Sequence, residues 1–136
     1  MDRAQLYAVL DDFLAALRAR DPLRVSWAPG ARHSENNVML QPGDGVWATI
    51  DSLGSYDLRF ADPVTGQVGW FGSVTEPQEE SACCLRIGVD PAGAIAEVEM
   101  VIVRDSEYGM ALPGKRFWTK PLLESNPEIG RASCRE

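Results

Sequence analysis

The sequence predicts an α+β domain in which N-terminal helices pack in the concave face of a curved, mostly antiparallel sheet. Two observations predict it. Apolar residues at helical spacing are confined to the N-terminal part of the chain, and four segments rich in Val, Ile and aromatic residues follow, separated by turn signals. Helices first and hairpin-linked strands afterwards is the order of a segregated α+β layer, not of alternating βα units.

The first helix spans residues 2–20, because Leu6, Leu10, Phe13, Leu14 and Leu17 form one stripe while Arg3, Asp11, Arg18 and Arg20 lie off it. Asp21-Pro22 caps and starts a short second helix through Leu23, Val25 and Trp27, which Pro29-Gly30 ends. An extended piece over 32–40 follows. The turn Gln41-Pro42-Gly43 then leads to Asp44 as the N-cap of a short helix whose Val46, Ile50 and Leu53 share a face. Residues 56–61, 67–76, 81–89 and 95–104 read as strands, joined by Asp62-Pro63-Val64-Thr65-Gly66, Glu76-Pro77-Gln78 and Asp90-Pro91-Ala92-Gly93. That is an antiparallel meander.

With 136 residues the chain encloses one core, burying about 70% of its unfolded surface, and leaves no room for a second domain. The net charge of −7 and the lack of a basic run argue against a nucleic-acid or anionic-membrane partner. No apolar stretch approaches membrane-spanning length, and Met1-Asp2-Arg3 does not open a signal peptide, so the expected compartment is the cytoplasm. Vicinal Cys83 and Cys84 point to opposite faces of a strand and are read as small hydrophobes in a reducing compartment.

Residues 128–136, Glu-Ile-Gly-Arg-Ala-Ser-Cys-Arg-Glu, resemble a translated sequencing adapter, so the domain is placed at 1–127. Between 105 and 127, Tyr108, Phe117 and Trp118 stand among Gly and Pro as a strap or a lid.

The segments Phe13-Leu14-Ala15-Ala16-Leu17-Arg18-Ala19-Arg20-Asp21, Trp27-Ala28-Pro29-Gly30-Ala31-Arg32 and Gly93-Ala94-Ile95-Ala96-Glu97 resemble the NTF2-like superfamily, which includes ketosteroid isomerase and the SnoaL-type cyclases. Ser34-Glu35-Asn36-Asn37, Gly43–Ile50 and Phe60-Ala61-Asp62-Pro63 resemble a SnoaL-like subgroup within it. The resemblance covers roughly residues 2–104 and implies a cone-shaped, mixed but mostly antiparallel sheet with a pocket in it. It implies that Glu35 stands at the isomerase's general-base position, whereas Phe13 and Leu85 replace the two oxyanion-hole donors. Steroid isomerisation of that type would lack its stabilising donors. The same resemblance turns Val98, Met100 and Ile102 into the pocket and Glu97, Glu99 and Val101 outward, and makes a homodimer through the outer sheet face the expected assembly.

Independently of any family, one strand over 32–40 would put His33, Glu35, Asn37 and Met39 on one face. His33 is the only histidine. In this pattern Glu35 acts as general base or water activator, Asn37 orients substrate or water, and His33 shuttles the proton or tunes Glu35. Taken with the resemblance, which implies the pocket-facing positions, Phe13, Met39, Trp47, Trp70, Leu85, Val98, Met100 and Ile102 are the expected apolar lining. Trp70 and Phe71 point opposite ways, so only one of them faces inward, and the sequence leaves open which. Glu97 and Glu99 are expected to meet Arg86 across the strand pair, and Glu76 to cap its hairpin. No motif calls for a metal or another cofactor. The function expected is a small enzyme of isomerase, lyase or hydrolase type acting on a small apolar organic molecule; the alternative is a non-catalytic binding or interaction module on the same fold.

Overall fold

The computed structural model describes residues 1–104 except Gln78. The strap or lid, the adapter-like tail and Cys134 lie outside the described residues.

Helix α1 (Arg3–Arg18) begins at a capping box: Asp2 accepts the Gln5 backbone N–H at 2.8 Å while the Gln5 side chain accepts the Asp2 N–H at 2.8 Å. Its stripe of Leu6, Leu10, Phe13, Leu14 and Leu17 is buried as the periodicity requires. The next helix is shorter than the sequence suggests. It is a single 3₁₀ turn (Pro22–Arg24) capped by Asp21, and Val25 is already extended. Trp27 instead opens strand β1 (Trp27–Glu35), because it pairs with Ile95 of the last strand. Pro29 and Gly30, expected as a helix stop, fall in a register shift between Trp27 and Arg32. A bulge suits them: proline lacks the ladder N–H, and Gly30 takes φ +74°.

The extended piece is not one strand. β1 turns back at Asn36-Asn37, with φ +49° and +65°, into β2 (Val38–Leu40). Two consecutive left-handed residues make the tight hairpin turn that asparagine tolerates. Helix α2 (Val46–Thr49) is one turn long, and its N-cap is Gly45 rather than Asp44. Leu53, expected on the face of that helix, belongs to β3 (Ser52–Asp62). β4 (Gln67–Glu76), β5 (Glu79–Val89) and β6 (Ile95–Val103) complete the meander where the turn signals place it.

The six strands form one sheet in the order β2-β1-β6-β5-β4-β3. β1 runs parallel to β6 and the other pairs are antiparallel, so the sheet is mixed as expected. Register shifts in β1, β3 and β5 bend its strands. The core lies between its inner face and α1, with Val68, Trp70, Leu85, Ile87, Val98 and Met100 at most 2% exposed. No helix among the described residues is long and apolar enough to cross a membrane.

Trp70 is the inward member of its pair, and Phe71 is 42% exposed. The indole lies across Gly72, where a Cβ would stand 1.8 Å from Cζ2, and its Nε1 donates to Asp57 at 3.1 Å. Gly72→Ala therefore forces a buried, hydrogen-bonded ring to move, and about 1–3 kcal/mol of stability is expected to be lost in urea unfolding. An unchanged midpoint would mean the indole has other room.

Candidate functional site

The hairpin determines which side chains meet inside. Asn36 donates its backbone N–H to Met100 O at 2.9 Å, and its side-chain amide clamps Ile102 by donating to the carbonyl at 3.0 Å and accepting the N–H at 2.8 Å. The end of β1 is thus stitched to β6. His33 and Glu35 both face inward, opposite Val98 and Met100. Asn37 and Met39 do not join them. Asn37 sits exposed in the turn and Met39 is 61% exposed on β2, because the period of two ends where the chain reverses.

Glu35 is enclosed by donors. Its Oε2 accepts the Val46 N–H at 2.7 Å, capping α2 from another strand, and its Oε1 accepts from Arg104 Nη2 at 2.9 Å. This explains why Asp44 is not the cap: a glutamate from β1 already occupies the helix N-terminus. Gly45 makes room for that carboxylate, since a Cβ there would stand 2.3 Å from Oε2, and its φ of +64° favours glycine as well. Arg104 also holds Glu76, whose carboxylate accepts the Thr49 hydroxyl. Glu76 therefore belongs to a buried ion cluster and not to a hairpin cap. The side chains of Glu35, Glu76 and Arg104 are 8%, 11% and 15% exposed. Burial works against the Arg104 charge, but its bonds to Glu76 and Glu35 outweigh burial and raise its pKa. Burial likewise opposes ionisation of Glu76, yet Arg104 and Thr49 bring its carboxyl below the usual range.

The expected lining divides cleanly. Phe13, Trp47, Trp70, Leu85, Val98, Met100 and Ile102 are all at most 2% exposed and belong to the core; Met39 does not. Phe13 stands edge-on to both Trp47 and Trp27, at 5.3 and 6.4 Å between ring centroids. Three polar atoms in this part of the core stand out. His33 Nδ1, His33 Nε2 and Trp47 Nε1 are buried and have no hydrogen-bond partner among the described residues. Each such atom costs about 1–3 kcal/mol unless something occupies it. Burial lowers the His33 pKa, and the nearby charges of Glu35 and Asp44 only partly offset this, so the ring is neutral at pH 7.

Arg104 and Glu76 were not expected at the site. A signal for Arg104 exists in the sequence, since the inward alternation of Val98, Met100 and Ile102 reaches it next; no local pattern marks Glu76 as its partner. On the outer face Arg86 meets Glu97 at 2.7 Å and Glu99 at 3.0 Å, as the cross-strand reading expects. Cys83 is buried and Cys84 half-buried, and both are free thiols.

No protein-family model and no curated protein matches the chain. Solved structures do. A protein of unknown function with a cystatin-like fold from Methylobium petroleophilum is 15% identical, with 82% of this chain and 84% of that chain covered at a TM-score of 0.63. A steroid delta-isomerase from Pseudomonas aeruginosa is 17% identical, with coverage of 76% and 83% and a TM-score of 0.57. An NTF2-like protein of unknown function from Cytophaga hutchinsonii is 7% identical, with coverage of 72% and 89% and a TM-score of 0.53. At these identities the likeness establishes the fold: the chain has the NTF2-like, cystatin-like architecture that its residues resemble.

The buried imidazole makes stability depend on pH. His33 has a lower pKa folded than its ordinary 6.5, so between those two values the unfolded chain binds more protons and stability rises with pH, levelling off above about 6.5. In urea unfolding from about pH 5 to 7.5, His33→Gln is expected to flatten this rise. A slope surviving in the variant would assign it to other groups.

Proposed function

We propose that the inner face of the sheet binds a small, largely apolar organic molecule carrying a carbonyl, epoxide or hydroxyl oxygen. The protein moves a proton on it, as an isomerase, lyase or hydrolase that needs no cofactor. The observation that carries this reading is the set of buried polar atoms of His33 and Trp47 that have no partner among the described residues, in a largely apolar core. A neutral imidazole offers one lone pair and one N–H, and the indole offers one N–H. The ligand that satisfies them accepts hydrogen bonds at an oxygen and carries a proton that can be removed.

In this reading His33 takes the proton and Glu35 supports it. As the C–H bond beside a carbonyl breaks, its electron pair forms a C=C bond and the carbonyl π pair moves onto the oxygen, where the Trp47 N–H meets the growing charge, while the proton passes to the imidazole. The negative charges of Glu35 and Asp44 favour the imidazolium so formed. Return of the proton to a different carbon completes an isomerisation, and departure of a leaving group completes an elimination. Both oxygens of Glu35 already accept, one from Val46 and one from Arg104, so in this reading the carboxylate holds the site rather than taking the proton.

That same double engagement of Glu35 favours a second reading, a binding module in which the carboxylate only clamps the fold. A thermal-shift screen of hydrophobic ketones, lactones and epoxides separates the two. At least one class is expected to raise Tm in the native protein and to do so less in His33→Gln and Trp47→Phe, with turnover of that compound falling about 10²–10⁴-fold in His33→Gln. Binding without turnover supports the module; shifts that both variants leave unchanged overturn the site.

We further propose that two copies pair through the outer sheet face. Leu58, Phe71, Cys84 and Val101 are register partners across four strands, and Phe60 stacks on Phe71 at 5.6 Å. Phe60, Phe71 and Val101 are 48%, 42% and 44% exposed, beside a stripe in which Arg86 and Arg32 alternate with Glu99 and Glu97. A two-fold axis can lay such an apolar row on itself and set each arginine near a glutamate of the other copy. Light scattering is expected to report a dimer that Phe71→Lys converts to monomer; a native monomer at tens of micromolar would rule it out.

A further inference from the structure

A cleft of about 200 Å³ separates α1 from β3, away from the Glu35 cluster. It has a simple cause in the sequence. Asp11, Leu14, Ala15 and Arg18 fall on one face of α1, and opposite them β3 shifts register between Leu53 and Asp57. The short side chain of Ala15 leaves the space open, while Leu14, Leu53 and the Trp70 ring give it an apolar floor.

The polar groups around it are not equally available. Arg59 binds Asp57 through two bonds, at 2.6 and 2.8 Å, and Asp11 at 2.6 Å, and Asp57 accepts the Trp70 indole N–H as well. Both carboxylates are therefore already engaged. Arg18 and Tyr56 also line the cleft, and the guanidinium of the one and the hydroxyl of the other have no hydrogen-bond or ion-pair partner among the described residues. What remains unmet is donor capacity, above one apolar floor.

From this we infer that the α1–β3 cleft binds a small one-ring or branched carboxylate, with its apolar body on Leu14, Leu53 and Trp70 and its carboxylate on Arg18 and Tyr56. The size fits, since a cavity of about 150 Å³ accepts a benzene ring. The charge fits as well: a guanidinium pairs with a carboxylate through two parallel bonds, and the nearer aspartates are held by Arg59. This site is independent of the proton-transfer reading and shares no polar group with it.

Benzoate is the probe, titrated into the full-length protein while the indole N–H of Trp70 is followed by NMR, with the signal identified by its loss in Trp70→Phe. Saturable shifts with a dissociation constant of about 1 mM or tighter are expected. Arg18→Gln should weaken binding about fivefold, the scale of an exposed ion pair. Ala15→Leu, which fills the cleft from a helix position where leucine is at home, should abolish it, whereas His33→Gln should leave it unchanged. Neutral benzyl alcohol should bind more weakly and be insensitive to Arg18→Gln. No saturable shift, equal affinity in Arg18→Gln, or loss in His33→Gln with retention in Ala15→Leu would each overturn the inference.

Discussion

One buried carboxylate ties the start of α2 to the end of the paired strands β1 and β6. Glu35 stands at the end of the first hairpin, caps α2 through Val46, and pairs with Arg104 just beyond the end of β6. A carboxylate removed from water is costly unless each oxygen finds a donor, and an arginine removed from water is costly unless its charge is met. Here the two costs offset each other, and Glu76, which also accepts the Thr49 hydroxyl, satisfies more of the guanidinium. The placement of Gly45, the direction in which α2 starts and the inward aim of His33 all follow from holding that one group.

The two faces of the sheet treat charge differently. Outside, Arg86, Arg32, Glu97 and Glu99 pair across strands at the surface, where such contacts are worth little each and act mainly on register and on partner choice. Inside, the Glu35–Arg104–Glu76 cluster is paired while His33 and Trp47 find no hydrogen-bond partner among the described residues. An additional polar occupant at the imidazole and indole is what the proposed function supplies. That contrast is the physical ground for seeing a site in an interior otherwise made of leucine, isoleucine, valine and aromatic rings.

Much of the fold is legible from local pattern. The stripe of α1, the bounds of β4 and the turns at Asp62–Gly66 and Asp90–Gly93 need only spacing and turn chemistry, and the inward set Val98, Met100 and Ile102 follows from alternation. The site is less legible. Asn36 and Asn37 belong to a turn whose type local propensity permits but does not require, and that single reversal removed Asn37 and Met39 from the face they were expected to share. Asp44 is a good capping residue in isolation, but a glutamate brought in from β1 took the position.

Sequence alone determined the stripe of α1, which residues of the later strands alternate, and that His33 and Glu35 share a strand face, because these depend on neighbours a few positions away. Whether Trp70 or Phe71 points inward, where Glu35 finds its donors, and that His33 has no partner among the described residues were decided only by the tertiary structure. Arg104 lies 69 positions from Glu35 in the chain, and the parallel pairing of β1 with β6 sets the register that brings them to 2.9 Å. Contacts of that kind depend on how strands from opposite ends of the chain align, which no local periodicity encodes.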